Sequence, residues 1–171
     1  VIENAAIEPE IMNMLEMLRS MGALIECDLL NRRLAVEGVA KLRGAKVKVM
    51  PDRMEIVSFA CAALATGGDI FIPDISEEYL RSFLEKIKEA GGFWAGERGG
   101  IRFWGRSPIR GSAPYRAVSV ETAPHPGFMT DWQPPFSVLL TQAEGLSRIH
   151  ETVYEDRFRY VKDLQGMGAD M

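Results

Sequence analysis

Two polar stretches gather the side chains able to do chemistry. They are His125-Pro126-Gly127-Phe128-Met129-Thr130-Asp131-Trp132-Gln133 and, one expected strand later, Glu151-Thr152-Val153-Tyr154-Glu155-Asp156-Arg157-Phe158. Asp131 stands in the first turn of an expected helix, where an acid favours the macrodipole without any catalytic role. The functional reading is a carboxylate at the mouth of a buried helix, able to accept a hydrogen bond from a substrate hydroxyl and take its proton. Arg157 is either a surface cation paired with Asp156 or Glu155, worth little to stability, or a fork for a carboxylate or phosphate. On the residues alone, both readings of each stay open. His125, bracketed by Pro124 and Pro126, reads as a turn histidine rather than a base. Arg53, inside a capping box, reads as structural.

Several chemistries are excluded. There is no Gly-rich phosphate loop, paired-histidine zinc motif or Gly-x-Ser-x-Gly elbow. Gly91-Gly92 and Gly99-Gly100 are turn chemistry. Two cysteines, Cys27 and Cys61, lie among apolar residues, cannot complete a four-ligand zinc site and are assigned no catalytic role. No metal and no cofactor are expected. Arg106, Arg110 and Arg116 read as a solvated loop rather than a phosphate patch. The 171 residues carry 20 Lys+Arg against 24 Asp+Glu, with 47% apolar and 26% charged residues, the balance of an ordinary soluble globular protein. A pI near 5.3 argues against nucleic acid or anionic lipid as partner. The most apolar run, 56–65, is about half of a membrane span.

The elements that must position these residues recur. Gly22, Gly91 and Gly168 lie 69 and 77 residues apart, each where a left-handed residue would end an amphipathic helix. The first stripe is Ile11, Met14, Leu15, Leu18 and Met21, within a Met-rich segment that reads as core packing. The second is Leu80, Phe83, Leu84 and Ile87; the third is Tyr154, Phe158, Val161 and Leu164. Between them stand two helices apolar on every side and therefore expected to be buried. One opens on the capping box Asp52-Arg53-Met54-Glu55; the other opens on Thr130-Asp131-Trp132-Gln133 and runs to Gly145. Pro134 and Pro135 fit only its first turn. Strands are expected at 33–37, 46–50, 70–73, 101–104, 117–121 and 146–151, with an exposed connection at 105–114. The expected fold is α/β (α+β), built of repeated βαβαββ units around buried helices. Residues 1–44 form the tail of one unit, 45–115 a complete unit and 116–171 an incomplete one. Both ends read as cut within a unit, so a segment of a longer chain is expected.

The chain resembles an internal segment of the UDP-N-acetylglucosamine 1-carboxyvinyltransferase family of enolpyruvyl transferases. The residues that carry the resemblance are Ala6-Ile7-Glu8-Pro9-Glu10, Met50-Pro51-Asp52-Arg53-Met54-Glu55, the blocks 63–69 and 140–145, and the two polar stretches above. The resemblance implies an inside-out α/β barrel in two similar domains, residues 1–44 ending the first and 45–171 belonging to the second, with a cleft between them that the remainder of the enzyme completes. It implies transfer of the enolpyruvyl group of phosphoenolpyruvate to the 3-hydroxyl of UDP-N-acetylglucosamine with release of phosphate, a cytoplasmic bacterial step that opens peptidoglycan synthesis. Neither a membrane nor nucleic acid is an implied partner. By resemblance Asp131 is the acid that contacts and deprotonates that hydroxyl, Val153 lines the sugar-nucleotide pocket, and Arg157 stands near the reacting centre. Where the family commonly has Pro-Thr-Asp-Met-Gln and Glu-Asn-Arg-Phe, this chain has Met129-Thr130-Asp131-Trp132-Gln133 and Glu155-Asp156-Arg157-Phe158. Asp156 beside Arg157 is expected to blunt its pull on an anion. The family's Lys-Asn pair, cysteine loop and C-terminal arginines have no counterpart, so the isolated chain is expected to be inactive. Two other readings are the sister transferase acting on shikimate 3-phosphate and a catalytically dead repeat module that binds a partner or nucleotide.

Overall fold

Helix α1(Pro9–Ser20) begins with proline in its first turn, carries Glu10 there and Arg19 in its last turn, matching the helix dipole at both ends. In the computed structural model, residues 1–105 and 115–171 are described. The expected connection 105–114, with Arg106 and Arg110, lies outside the described residues from 106 onward. The chain divides into two compact units, Val1–Met50 and Pro51–Met171.

In the first unit, α1 is followed by an antiparallel hairpin of β1(Leu24–Asp28) and β2(Arg33–Glu37). Strand β1 is not anticipated by the sequence reading. Its core is small: Ala5, Leu15 and Leu34, with Ile11, Met12, Ile25 and Cys27 packed against them. The Met-rich stripe is therefore only partly core, and Met14 and Met17 remain 45% and 39% exposed. The expected strand 46–50 does not form. A side chain stands in for a partner strand there: Asn13 Nδ2 donates to the Lys48 carbonyl at 3.2 Å, and the Met50 amide donates to Asn13 Oδ1 at 3.1 Å.

The second unit opens with α2(Arg53–Thr66), whose start is set by Asp52 accepting from the Met54 and Glu55 amides. Val57, Ala60 and Leu64 are fully buried, and Phe59 is 58% exposed within this chain. Then come β3(Asp69–Pro73), α3(Arg81–Ala90), β4(Phe93–Glu97) and β5(Gly100–Trp104), the strands forming an antiparallel sheet in the order β3-β5-β4. Helix α3 buries the anticipated Phe83, Leu84 and Ile87, each worth roughly 1.5–3 kcal/mol of apolar burial. Gly22, Gly91 and Gly168 all have positive φ, as their recurrence requires.

The remaining elements are β6(Tyr115–Arg116), β7(Ser119–Glu121), α4(Gln133–Leu140), β8(Ala143–Glu144), β9(Arg148–His150) and α5(Val161–Gly166). Two parallel pairs, β6 with β8 and β7 with β9, replace the longer single strands expected at 117–121 and 146–151. A 3₁₀ turn, Thr130–Trp132, leads into α4, and Pro134 and Pro135 sit in the first turn of the helix. The helix ends at Leu140 rather than running to Gly145. Helix α4 packs against α2, and Phe83, Phe128, Trp132 and Phe136 interlock there with ring centroids 5.3–6.1 Å apart. The third helix is shorter than its stripe: Tyr154 and Phe158 precede α5 and stay exposed.

Candidate active site

Asp131 lies in the 3₁₀ turn before α4, between Thr130 and the buried Trp132, which anchors that turn in the core. The capping box expected there is not made. Thr130 does not cap the helix, because its hydroxyl donates instead to Glu151 Oε2 at 2.9 Å. Nor does the Asp131 carboxylate cap it. Asp131 Oδ1 accepts from Arg157 Nη2 across 26 residues of chain. The pair is open to solvent, with the side chains of Asp131 and Arg157 49% and 30% exposed. Such a pair contributes about 0–1 kcal/mol to folding, so its use is to be sought in what it faces.

The partner of Arg157 is thus neither of the neighbours expected. Asp156 takes a left-handed conformation, φ 56°, which an aspartate tolerates, and its carboxylate receives Arg159 Nε at 2.6 Å. That turn pairs the Asp156 carboxylate with Arg159 rather than with its neighbour Arg157. The Arg157 guanidinium also lies 5.6 Å from the centroid of the Tyr154 ring. A few residues on, Tyr160 is tied to α4 by a hydroxyl contact of 2.7 Å with Ser137. Burial pushes the Tyr160 phenol above its usual range, against the Ser137 hydroxyl and the Arg157 charge, which pull it down. Val153 precedes Tyr154 in the same segment, with its side chain exposed and its amide donated to Glu151.

The group that the sequence reading missed is Glu151. Its Oε1 accepts from the Thr122 hydroxyl at 2.8 Å, the Val153 amide at 2.9 Å and the Tyr154 amide at 3.0 Å. Thr122, fully buried, also accepts from the Thr152 amide at 2.9 Å, and its carbonyl receives the Thr152 hydroxyl at 2.5 Å. Desolvation raises the Glu151 pKa, but the four donors outweigh it and hold the carboxyl below its ordinary range. The one available signal was a carboxylate directly after a strand, next to Thr152 and 21 residues from Thr130. That spacing has no helical or strand period to mark it.

His125 sits in the turn before Phe128, joined to Pro126 by a cis peptide. Arg53 is fully buried; its Nη1 donates to the Tyr79 carbonyl at 3.1 Å and its guanidinium lies 5.4 Å from the Trp132 ring centroid. Cys61 is buried in α2, which pushes its thiol far up, and Cys27 is half-buried in β1. Among the described residues, no three His, Cys, Asp or Glu side chains come together to hold a metal ion. No helix is long and apolar enough to cross a membrane, again among the described residues.

Known proteins bear on this arrangement. The UDP-N-acetylglucosamine 1-carboxyvinyltransferase of Protochlamydia amoebophila is 42% identical over all 171 residues, which span 36% of that protein. Those of Halothermothrix orenii and Zymomonas mobilis are 42% and 41% identical over the whole chain, which covers 40% and 38% of their lengths. The chain therefore spans well under half of these relatives. Among solved structures, the enolpyruvyl transferase NikO from Streptomyces tendae superposes with a TM-score of 0.79 over 95% of this chain and 38% of its own, at 24% identity. That likeness shows the α/β enolpyruvyl transferase fold. The profile of the EPSP synthase (3-phosphoshikimate 1-carboxyvinyltransferase) family matches residues 1–171, and it is to this family that the chain belongs.

Proposed function

We propose that this chain forms one wall of the active site of an enolpyruvyl transferase that joins phosphoenolpyruvate to the 3-hydroxyl of UDP-N-acetylglucosamine and releases phosphate. The observation that carries the reading is the solvent-facing Asp131–Arg157 pair. Its place in the two stretches that resemble the sugar-nucleotide transferases supports the same reading. Asp131 accepts the 3-hydroxyl proton as the hydroxyl oxygen adds to the enol carbon of phosphoenolpyruvate, whose methylene carbon takes up a proton. The carbon–oxygen bond to phosphate then breaks as a methyl proton is lost and the double bond re-forms. Arg157 gives one of its five N–H donors to Asp131, so the same fork can orient the base and meet an anionic substrate. Val153 contributes apolar surface to the sugar-nucleotide side.

The acceptor is the sugar nucleotide rather than shikimate 3-phosphate, a choice supported by identities of about 40% to carboxyvinyltransferases that carry its name. Residues 45–115 and 116–171 act as repeat units of one domain, and the rest of the longer protein supplies the opposite wall and further cations. The same reading places the reaction in the bacterial cytoplasm, in peptidoglycan synthesis. Asp131→Asn in the full-length protein is the test, with phosphate release followed in the presence of phosphoenolpyruvate and UDP-N-acetylglucosamine. The expected loss is on the order of 10²–10⁴-fold; wild-type turnover would end the general-base role. The 171-residue chain alone is expected to release no phosphate, and tighter binding of shikimate 3-phosphate than of the sugar nucleotide would reassign the acceptor.

A further inference from the structure

We propose that Glu151 is a positioning residue whose carboxylate ties Thr130, the neighbour of Asp131, to the turn that leads to Arg157, and so sets the geometry of the pair. All of its hydrogen bonds fall on the segments that carry these two residues or on the strand end between them. Oε2 takes the Thr130 hydroxyl on the Asp131 side, and Oε1 takes the Val153 and Tyr154 amides on the Arg157 side. The Thr122 hydroxyl fixes the same carboxylate from beneath, at the end of the β7–β9 ladder, where the Thr122 amide donates to the His150 carbonyl. Asp131 has no second anchor of this kind: its turn is not capped by a side chain, and among the described residues its carboxylate is held by Arg157 alone. A half-exposed ion pair is too weak to fix two loops, whereas an ionised carboxylate accepting four donors is strong enough to do so. The residue type follows from the count. A carboxylate accepts at both oxygens, while an amide would keep the three donors on its oxygen and reverse the bond to the Thr130 hydroxyl.

The effect on turnover rests on the transfer reading above, and the test separates the two. In the full-length protein, kcat and KM are measured for Glu151→Ala, Glu151→Gln and Thr130→Val, each with and without Asp131→Asn. Displacing the pair by a fraction of an ångström is expected to lower kcat by roughly 10–100-fold for Glu151→Ala and Thr130→Val. Glu151→Gln, which keeps the shape and one acceptor oxygen, is expected to recover part of the loss. In the Asp131→Asn background the same changes should cost nothing further, because they act through Asp131. Losses that simply multiply, or wild-type kcat in both Glu151→Ala and Thr130→Val, would overturn the proposal. Thr130→Val keeps the side-chain volume and carries the test should Glu151→Ala not fold. The ¹⁵N resonances of the Arg157 guanidinium supply a readout independent of activity. They should shift in Thr130→Val, and unchanged resonances would overturn the positioning role even if Asp131→Asn showed the transfer reading to be wrong.

Discussion

Arg53 lies over the face of Trp132, joining the first turn of α2 to the turn that opens α4 with both side chains buried. A cation so placed is held by the ring's negative face and by the Tyr79 carbonyl, with its aliphatic stem filling the core. The contact fixes the floor under Asp131, since Trp132 is its neighbour.

Arg53→Ala should therefore cost about 3 kcal/mol, through lost packing and a carbonyl stripped of its donor. Urea unfolding of the protein measures it. An unchanged midpoint would mean that the buried guanidinium contributes nothing.

Glu151 makes stability pH-dependent. Its folded pKa is held below the ordinary value of 4.5, so its contribution is complete above that value and is lost as pH falls through the lowered one. Glu151→Gln should be less stable than wild type near pH 7, and the gap should close as pH falls below 4.5 and through the lowered value. A gap that widens on acidification would contradict the sign.

The two thiols should differ in reactivity. Cys61 is inaccessible in α2 and its thiol is pushed far up by burial, while Cys27 is half-buried in a hairpin. A disulfide reagent should label Cys27 first, and Cys61 only as fast as the second unit opens. Equal labelling rates without denaturant would refute the burial of Cys61.

Asp156 is held at positive φ, where a β-branched residue is strained. In the full-length protein, Asp156→Val should destabilise by about 1–2 kcal/mol and lower turnover by displacing Arg157, whereas Asp156→Asn should preserve both. Thermal melts and phosphate release distinguish these outcomes; equal behaviour of the two variants would show that the backbone turn does not matter.

Much of this protein is local and so was legible in its residues. Asp52 caps α2, the Phe83–Leu84–Ile87 stripe buries α3, and three glycines of positive φ mark the repeat. Each depends on a period or a steric preference expressed within a few residues, and the same locality singled out Asp131 and Arg157 as candidates. Tertiary structure decided what lies many residues apart. It paired Asp131 with Arg157, turned Asp156 to Arg159, and put Asn13 where a strand partner was expected. It also made Glu151 the junction of two loops, through bonds that span 2 to 29 residues. No spacing rule contains those contacts, because a hydrogen bond between segments depends on which surfaces the packed core brings within 3 Å of each other.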